Sequence, residues 1–487
     1  MSEVTSPALH ETHVSWVILS EDRAYKMPKP IRTDVLDQST RTLRREACER
    51  EVELNRRLAP DVYRGVGSIC LDGEELESVV VMERMPSDRR LSDILDRRNE
   101  PRKAVRDVAR VVAAFHASEA PLADERARTV ASTDAVLHRW AEDLHGLRGL
   151  RPDVSPVLDS IGTLARRYVE GRSPLFEERI RKGLVRDGHG DLLCDDIFCL
   201  DDGPRILDCL AFSDDLRHGD VLADTAFLVM DLQRRGHPDL ARQFLRDYCE
   251  FGDEHHPGSL AHFFVAQRAL VRAKVAALRD AQRGRTSPAA EDLLQLALDH
   301  LRRATVRIVL VGGIPGSGKS TVADRLAEET GWTVLSSDEI RRDLGLRAKD
   351  SSGEGGYGPG AVAAVYRELR SRTARLVSAG CSVILDASWS STDERTAMRD
   401  LAEDCAAEVV EIRCVAPLEQ CRRRVADRPD ARLSEATPEV VDLMAERSEL
   451  WPEATIVATG DVDESMVVSV LAVFQDLWWR TGPAPLA

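Results

Sequence analysis

The 487 residues carry 67 Lys+Arg against 83 Asp+Glu, a formal net charge of −16, with 43% hydrophobic and 31% charged positions. That composition suits a globular chain with room for more than one well-buried domain. Its acidic balance argues against a broad nucleic-acid or anionic-membrane surface. The ten cysteines form no Cys-x-x-Cys pair, which argues against zinc and for reduced thiols. Met1 to Glu11 is polar, without an apolar signal core. No apolar run reaches the ~18 residues of a spanning helix, so a cytoplasmic protein without membrane contact is expected. Lys stands only at 26, 29, 103, 182, 274, 319 and 349, and every other basic residue is Arg. A lysine here marks a place where a compact point charge is wanted.

In the first half, Val14–Leu19 and Arg23–Met27 read as strands around a turn at Glu21-Asp22, and Ser78–Met82 reads as a further strand. A helix is expected from about Ser39 to Leu58, with an apolar stripe of Leu43, Ala47, Leu54 and Leu58. Glu51 falls inside that stripe. A carboxylate facing the core needs a partner, and Lys26 on the preceding strand is the natural one, with Arg44 or Arg50 as the alternatives. Val105 to Ala117 reads as a helix, with His116 as a packing residue. A chemical cluster then runs from Arg186 to Phe212. Asp201-Asp202-Gly203 makes a hairpin turn, and Arg205 to Phe212 reads as the return strand. His189, Asp191, Asp196 and Asp208 are thereby gathered around one hairpin. Such carboxylates repel unless a metal or a hydroxyl proton intervenes.

These residues resemble the aminoglycoside phosphotransferase family, the small-molecule branch of the protein-kinase fold, which carries His-Gly-Asp-x-x-x-x-Asn and a later Asp ending a short apolar run. The resemblance implies that Asp191 is the catalytic base at the acceptor hydroxyl, that Asp208 and Asp196 bind Mg2+, and that Lys26, paired with Glu51, holds the α- and β-phosphates of ATP. Asp220 and Asp224 look like loop- and helix-orienting acids behind the site. Two departures leave a pseudokinase reading open. Asp196 stands where the family has Asn, and Thr12 to Ser15 stands where a glycine-rich phosphate cover belongs.

The segment from about 259 to 302 reads helical, with a turn at Arg283–Pro288. Ile308–Val311 then reads as a buried parallel strand, followed by Gly313, Ile314, Pro315, Gly316, Ser317, Gly318, Lys319, Ser320 and Thr321. This is G-x-x-x-x-G-K-S between a strand and a helix, the context of a phosphate-binding P-loop. Gly313, Gly316, Ser317, Gly318 and Thr321 would cradle the phosphates, Lys319 would reach the β- and γ-phosphates, and Ser320 would hold Mg2+. Trp332–Leu335 reads as the next strand and delivers Asp338 to its carboxyl end, where open α/β sheets bind ligands. Asp338 is the candidate acceptor base or a helix cap, and Arg341 or Arg342 the candidate substrate contact. The glycine-rich stretch Ser351–Gly360 reads as a lid or a plain connection. Strands are expected at Ser382–Asp386, Glu408–Val415 and Thr455–Thr459, and helices at Ala361–Ala379, Leu418–Ala426 and Glu464–Trp479. Asp386 could hold Mg2+ through water, and Arg424 and Arg428 share a face as candidate lid arginines.

This half looks like the small P-loop kinases grouped with gluconate kinase, the zeta-toxin kinases and phage polynucleotide kinase. The expectation is an α+β, protein-kinase-like two-lobed domain at 1–303, with a small lobe to about 85 and a helical large lobe to 303. An α/β P-loop domain with a parallel sheet follows at 304–487. The resemblances imply ATP-dependent transfer of a γ-phosphate to a hydroxyl of a sugar-like or aminoglycoside-like small molecule, with ATP and Mg2+ at two kinase-type sites. A regulatory ATP-binding protein with an N-terminal pseudokinase, and a polynucleotide kinase, are the alternatives.

Overall fold

Short apolar runs separated by tight turns build the first sheet. Its strands are β1 (Ala8–Glu11), β2 (Ser15–Ser20), β3 (Arg23–Pro28), β4 (Tyr63–Leu71) and β5 (Glu74–Glu83), all antiparallel in the order β1-β2-β3-β5-β4. The computed structural model describes residues 8–12, 14–32, 36–72, 74–97, 100–346, 358–427 and 437–460. By contacts the chain forms two units, residues 1–162, 176–255 and 264–299, and residues 163–175, 256–263 and 300–487.

Strands β1 and β4 go beyond the three expected from pattern. In β4 Gly65 and Gly67 thin the apolar signal. Gly67 is required by close approach, since a Cβ there would sit 2.9 Å from the Val81 side chain on β5. The helix Arg41–Asn55 starts where Thr40 Oγ1 accepts the Leu43 N–H, and it lays Cys48 and Val52 against Ala24, Val80 and Met82 of the sheet.

Two small ribbons carry the acidic cluster: β6 (Val185–Asp187) pairs with β9 (His218–Asp220), and β7 (Ile197–Leu200) pairs with β8 (Gly203–Ile206), all antiparallel. The return strand ends at Ile206 rather than continuing to Phe212. Asp208 has φ +64°, in the left-handed region, and the extended path stops before it. Asp220 closes β9 and caps the helix Val221–Arg234 by accepting the Leu222 N–H at 2.8 Å. The buried Arg179 joins Asp220 and Glu254, so each of these buried charges is matched.

The second unit holds β10 (Arg307–Gly312), β11 (Thr333–Ser336), β12 (Val383–Asp386), β13 (Glu408–Val415) and β14 (Thr455–Ala458). All pairs are parallel, in the order β11-β12-β10-β13-β14. The near-continuous apolar runs of β10 and β12 suit strands covered on both faces. Val309, Val311, Ile384 and Ile412 meet Val322 and Leu326 of the P-loop helix in one core. The observed architecture is the expected one, an α+β portion followed by an α/β parallel-sheet portion. Among the described residues no helix is long and apolar enough to cross a membrane. Arg428, residues 351–357 of the glycine-rich stretch and the helix expected at Glu464–Trp479 lie outside the described residues.

Candidate active sites

On β3, Lys26 Nζ lies 2.9 Å from Glu51 of the helix Arg41–Asn55 and also bonds Asp208 Oδ1. Burial works against the Lys26 charge, but Asp208 and Glu51 together raise its pKa, so it stays protonated. The Lys26 charge in turn lowers the pKa of Asp208. Asp208 takes its left-handed backbone with help from two residues that pattern reading missed. Tyr63 Oη accepts its N–H at 3.2 Å, and Asn55 Oδ1 accepts the next N–H, of Cys209, at 2.8 Å. Asn55 is one helical turn beyond Glu51, on the same face, and that spacing was the available signal.

Asp196 ends the short 3-10 turn Cys194–Asp196. Burial first, then repulsion from Asp208 and Asp191, raises its pKa well above the usual carboxylate range. Burial also raises the pKa of Asp191, against the opposing charge of Arg272. Arg272 Nη1 stands 3.0 Å from Asp191 Oδ2 and 3.3 Å from Oδ1. This contact, made by a helix 81 positions later, was not anticipated.

His189 is buried, and burial lowers its pKa. Its Nδ1 is 3.4 Å from the Asp191 N–H, and its Nε2 donates to Leu207 O at 3.0 Å. The ring thereby ties the Asp191 turn to the approach to Asp208. Asp224 accepts the N–H groups of His189 and Gly190, both at 2.8 Å, and bonds His116 Nε2 at 3.0 Å. His116 is a packing and hydrogen-bonding residue here, in contact with Tyr248 Oη at 2.9 Å. Thr12 and Ser15 bond each other at 2.9 Å and close the turn between β1 and β2, so their hydroxyls are engaged within that turn.

Burial alone would raise the Asp224 pKa. The His116 hydrogen bond and the charges and N–H groups around it win, and the folded value is depressed. A depressed carboxylate contributes stability that is present above its unfolded pKa of about 3.9 and is lost as pH falls toward the folded value. Asp224→Asn is therefore expected to cost about 2–4 kcal/mol near neutral pH and to flatten the acid limb below about pH 4. Urea unfolding of both proteins from neutral to acid pH measures this, and an unchanged acid limb would count against the assignment.

In the second unit, β10 delivers the phosphate loop to the carboxyl edge of the sheet. Gly316 has φ +81°, and a Cβ there would meet the Cys421 carbonyl oxygen at 2.3 Å, so only glycine fits. Ser317 donates its N–H to Ile314 O at 3.1 Å, and Gly313 donates to Ser388 O at 3.1 Å. Gly318, at φ +85°, opens the helix Lys319–Thr330, which carries Ser320 and Thr321 in its first turn. Register places Val311, Ser336 and Asp386 level across β10, β11 and β12. Ser320 Oγ donates to Asp386 Oδ2 at 2.7 Å, and Lys319 Nζ lies 3.9 Å from Oδ1. That Oδ1 is buried and has no hydrogen-bond partner among the described residues.

Asp338 sits in the first turn of the helix Ser337–Asp343, where Ser336 Oγ accepts its N–H at 3.3 Å. Its carboxylate bonds Arg341, whereas Arg342 is half-exposed and 3.9 Å from Glu339. Arg341, not Arg342, therefore shares the Asp338 site. Arg424, the expected lid arginine, is engaged by backbone carbonyls here. Its guanidinium donates to Gly316 O at 3.2 Å and to Thr459 O and Gly460 O at 2.8 Å each, so it braces the P-loop and the end of β14. The cause is the seating of the helix Leu418–Ala426 against Gly316. Trp389 was also missed. It is buried at φ +51°, with its N–H held by Tyr366 Oη at 3.1 Å.

Residues 35–261 match the model of the phosphotransferase enzyme family, and residues 308–451 match that of an AAA domain. The chain is similar to the Mycobacterium tuberculosis H37Rv protein titled Uncharacterized protein Rv2004c. The two are 38% identical over 469 residues, covering 94% of this chain and 93% of that protein. The Mycobacterium bovis protein Mb2027c matches to the same extent. This chain belongs to their family. It joins a phosphotransferase-type enzyme domain to an ATP-binding P-loop domain. Among solved structures, the choline kinase LicA from Streptococcus pneumoniae is 14% identical, with TM-score 0.38, over 61% of this chain and 94% of that one. A gluconokinase from Sinorhizobium meliloti 1021 is 17% identical, with TM-score 0.25, over 36% and 93%.

Proposed function

We propose that the chain is a kinase with two sites, each transferring the γ-phosphate of ATP to a hydroxyl of a small molecule, and that it works in the cytoplasm. In this reading residues 1–303 form the phosphotransferase domain and 304–487 the P-loop kinase domain. The observation that carries it is the meeting of Lys319, Ser320 and Asp386 at the carboxyl edge of the parallel sheet.

The Asp386 side chain fits a hard cation. One oxygen is bonded by the Ser320 hydroxyl, and the other is buried without a hydrogen-bond partner among the described residues. Asp196 and Asp208 are a second all-oxygen set that would hold a cation, and a positive ion there would offset the repulsion between Asp196, Asp208 and Asp191. Mg2+, when bound, neutralises charge on the phosphate oxygens. The chain's own residues do the rest. The loop N–H groups and Lys319 orient the triphosphate at one site, and Lys26, held by Glu51, does so at the other. Asp338 and Asp191 accept the acceptor's hydroxyl proton as its oxygen bonds the γ-phosphorus and the bond to ADP breaks. Arg341 aligns Asp338 and contacts the acceptor, with Arg342 at the outer edge. Thr321 and Ser317 complete the cradle.

Incubation of the purified full chain with Mg-ATP and a metabolite extract is expected to add one phosphoryl group, +80 Da on the order of a phosphate ester, to hydroxylated metabolites. Mass spectrometry reads the products. ATP hydrolysis with no phosphorylated product would favour the regulatory alternative.

A further inference from the structure

We propose that the acceptor at the Asp191 site is an anionic hydroxyl compound, a sugar or polyol bearing a phosphate or carboxylate, recognised by an arginine stripe on the helix Gly258–Gln282. The proposal rests on the phosphotransferase reading of that site.

At ~100° per residue, Arg268, Arg272, Arg279 and Arg283 fall within about 60° of one another around the helix. Arg283 follows the last helical residue and keeps the turn, donating its N–H to Arg279 O at 3.2 Å. The stripe from Arg272 to Arg283 spans roughly 16 Å along the axis. Its inner foot is structural. Arg268 is buried, donates to Ala223 O at 2.9 Å and lies over the Phe227 ring at 4.4 Å.

Arg272 comes next and touches the candidate base. It uses Nη1 for Asp191, and among the described residues its Nε and Nη2 make no hydrogen bond. Those two groups form the fork that binds carboxylate or phosphate in bidentate fashion. Arg279 and Arg283 are exposed and have no ion-pair partner among the described residues. Partial desolvation, then repulsion from Arg272 and Arg283, lowers the Arg279 pKa.

The nearby acids are already engaged. Asp280 accepts from Ser287 at 2.7 Å, lies 3.5 Å from Arg285 and also acts on Arg279; Glu11 holds Lys29 at 2.6 Å and lies in the field of Arg283; Asp143 holds Lys274 at 3.0 Å. A cationic row whose inner end meets Asp191 and whose outer arginines form no ion pair among the described residues, in a chain of net charge −16, calls for a counter-charge from the ligand. An amino-sugar cation would meet like charge along this row. An acceptor anion would find a partner, and by drawing Arg272 aside it would free the Asp191 carboxylate for the hydroxyl proton.

The test uses full-length Lys319→Ala protein, so that transfer at the P-loop is slowed; any phosphate still held by the P-loop N–H groups is common to this protein and its charge-reversed form and cancels in the comparison. Calorimetry compares glucose, glucose 6-phosphate, glucuronate and kanamycin, with and without Arg279→Glu and Arg283→Glu together. The anionic sugars are expected to bind tighter than glucose or kanamycin. The double charge reversal is expected to weaken them roughly tenfold while leaving glucose unchanged. Tighter binding of kanamycin or glucose, no binding of either anionic sugar, or an unchanged affinity in the double variant would overturn the proposal. Asp191→Asn separates the two readings. It is expected to keep anion binding and lose transfer, and stripe-dependent binding with transfer intact would remove Asp191 as the base while leaving the stripe in place.

Discussion

Replacing Lys319 with Ala is expected to lower ATP turnover at the P-loop site about a hundred- to a thousandfold. The measurement is ADP release in an Asp191→Asn background, which silences the other site. Lys319 is the first residue of the helix Lys319–Thr330, and its ammonium stands 3.9 Å from Asp386 Oδ1. Alanine keeps the helix and the glycine turn, so the N–H cradle survives. In the proposed reading, what disappears is the ammonium that reaches the γ-phosphoryl, where negative charge develops during transfer. The loss therefore falls mainly on kcat, with a smaller change in KM. Turnover that survives at the parental level would move the chemistry away from this loop.

Asp191→Asn is expected to reduce transfer at the other site by about a hundred- to ten-thousandfold, read as phosphorylated acceptor formed by Lys319→Ala protein. Asparagine matches the shape of aspartate but cannot take the hydroxyl proton. The backbone around it does not depend on this carboxylate, because Asp224 holds the His189 and Gly190 N–H groups. The effect should therefore be on rate rather than on folding. Transfer that persists in the single Asp191→Asn variant but vanishes in Lys319→Ala would make the first unit a regulatory domain.

The two sites differ in how much of them could be read from the chain. The P-loop is contiguous, and each of its parts follows from a strand, a glycine turn and a helix N-terminus within a few residues. The pairing of Lys26 with Glu51 was also readable, because a carboxylate in an apolar stripe demands a cation and only one lysine lay on the adjacent strand. Asp196 and Asp208 were legible as a hairpin cluster, although the early end of β8 was not. The positive φ of Asp208, with its N–H and the next one held by Tyr63 and Asn55, takes the chain out of the extended path there.

Arginine partners were the least readable feature. With so many arginines, helical spacing cannot tell a lid from a brace. Arg424 became a brace because the loop carbonyls of Gly316, Thr459 and Gly460 surround its guanidinium. The stripe of Arg268, Arg272, Arg279 and Arg283 was present as a spacing, but its meaning depended on which residue its inner end would touch.

By itself the sequence determined the local chemistry: which residues bear charge, where glycine permits a phosphate cradle, and which periodicities make strands and helices. These are set by neighbours along the chain. The tertiary structure alone decided the encounters across long separations, Arg272 with Asp191, Ser320 with Asp386 and Arg424 with the P-loop carbonyls. Those depend on sheet register and helix seating, where the burial of whole apolar faces outweighs any single polar contact.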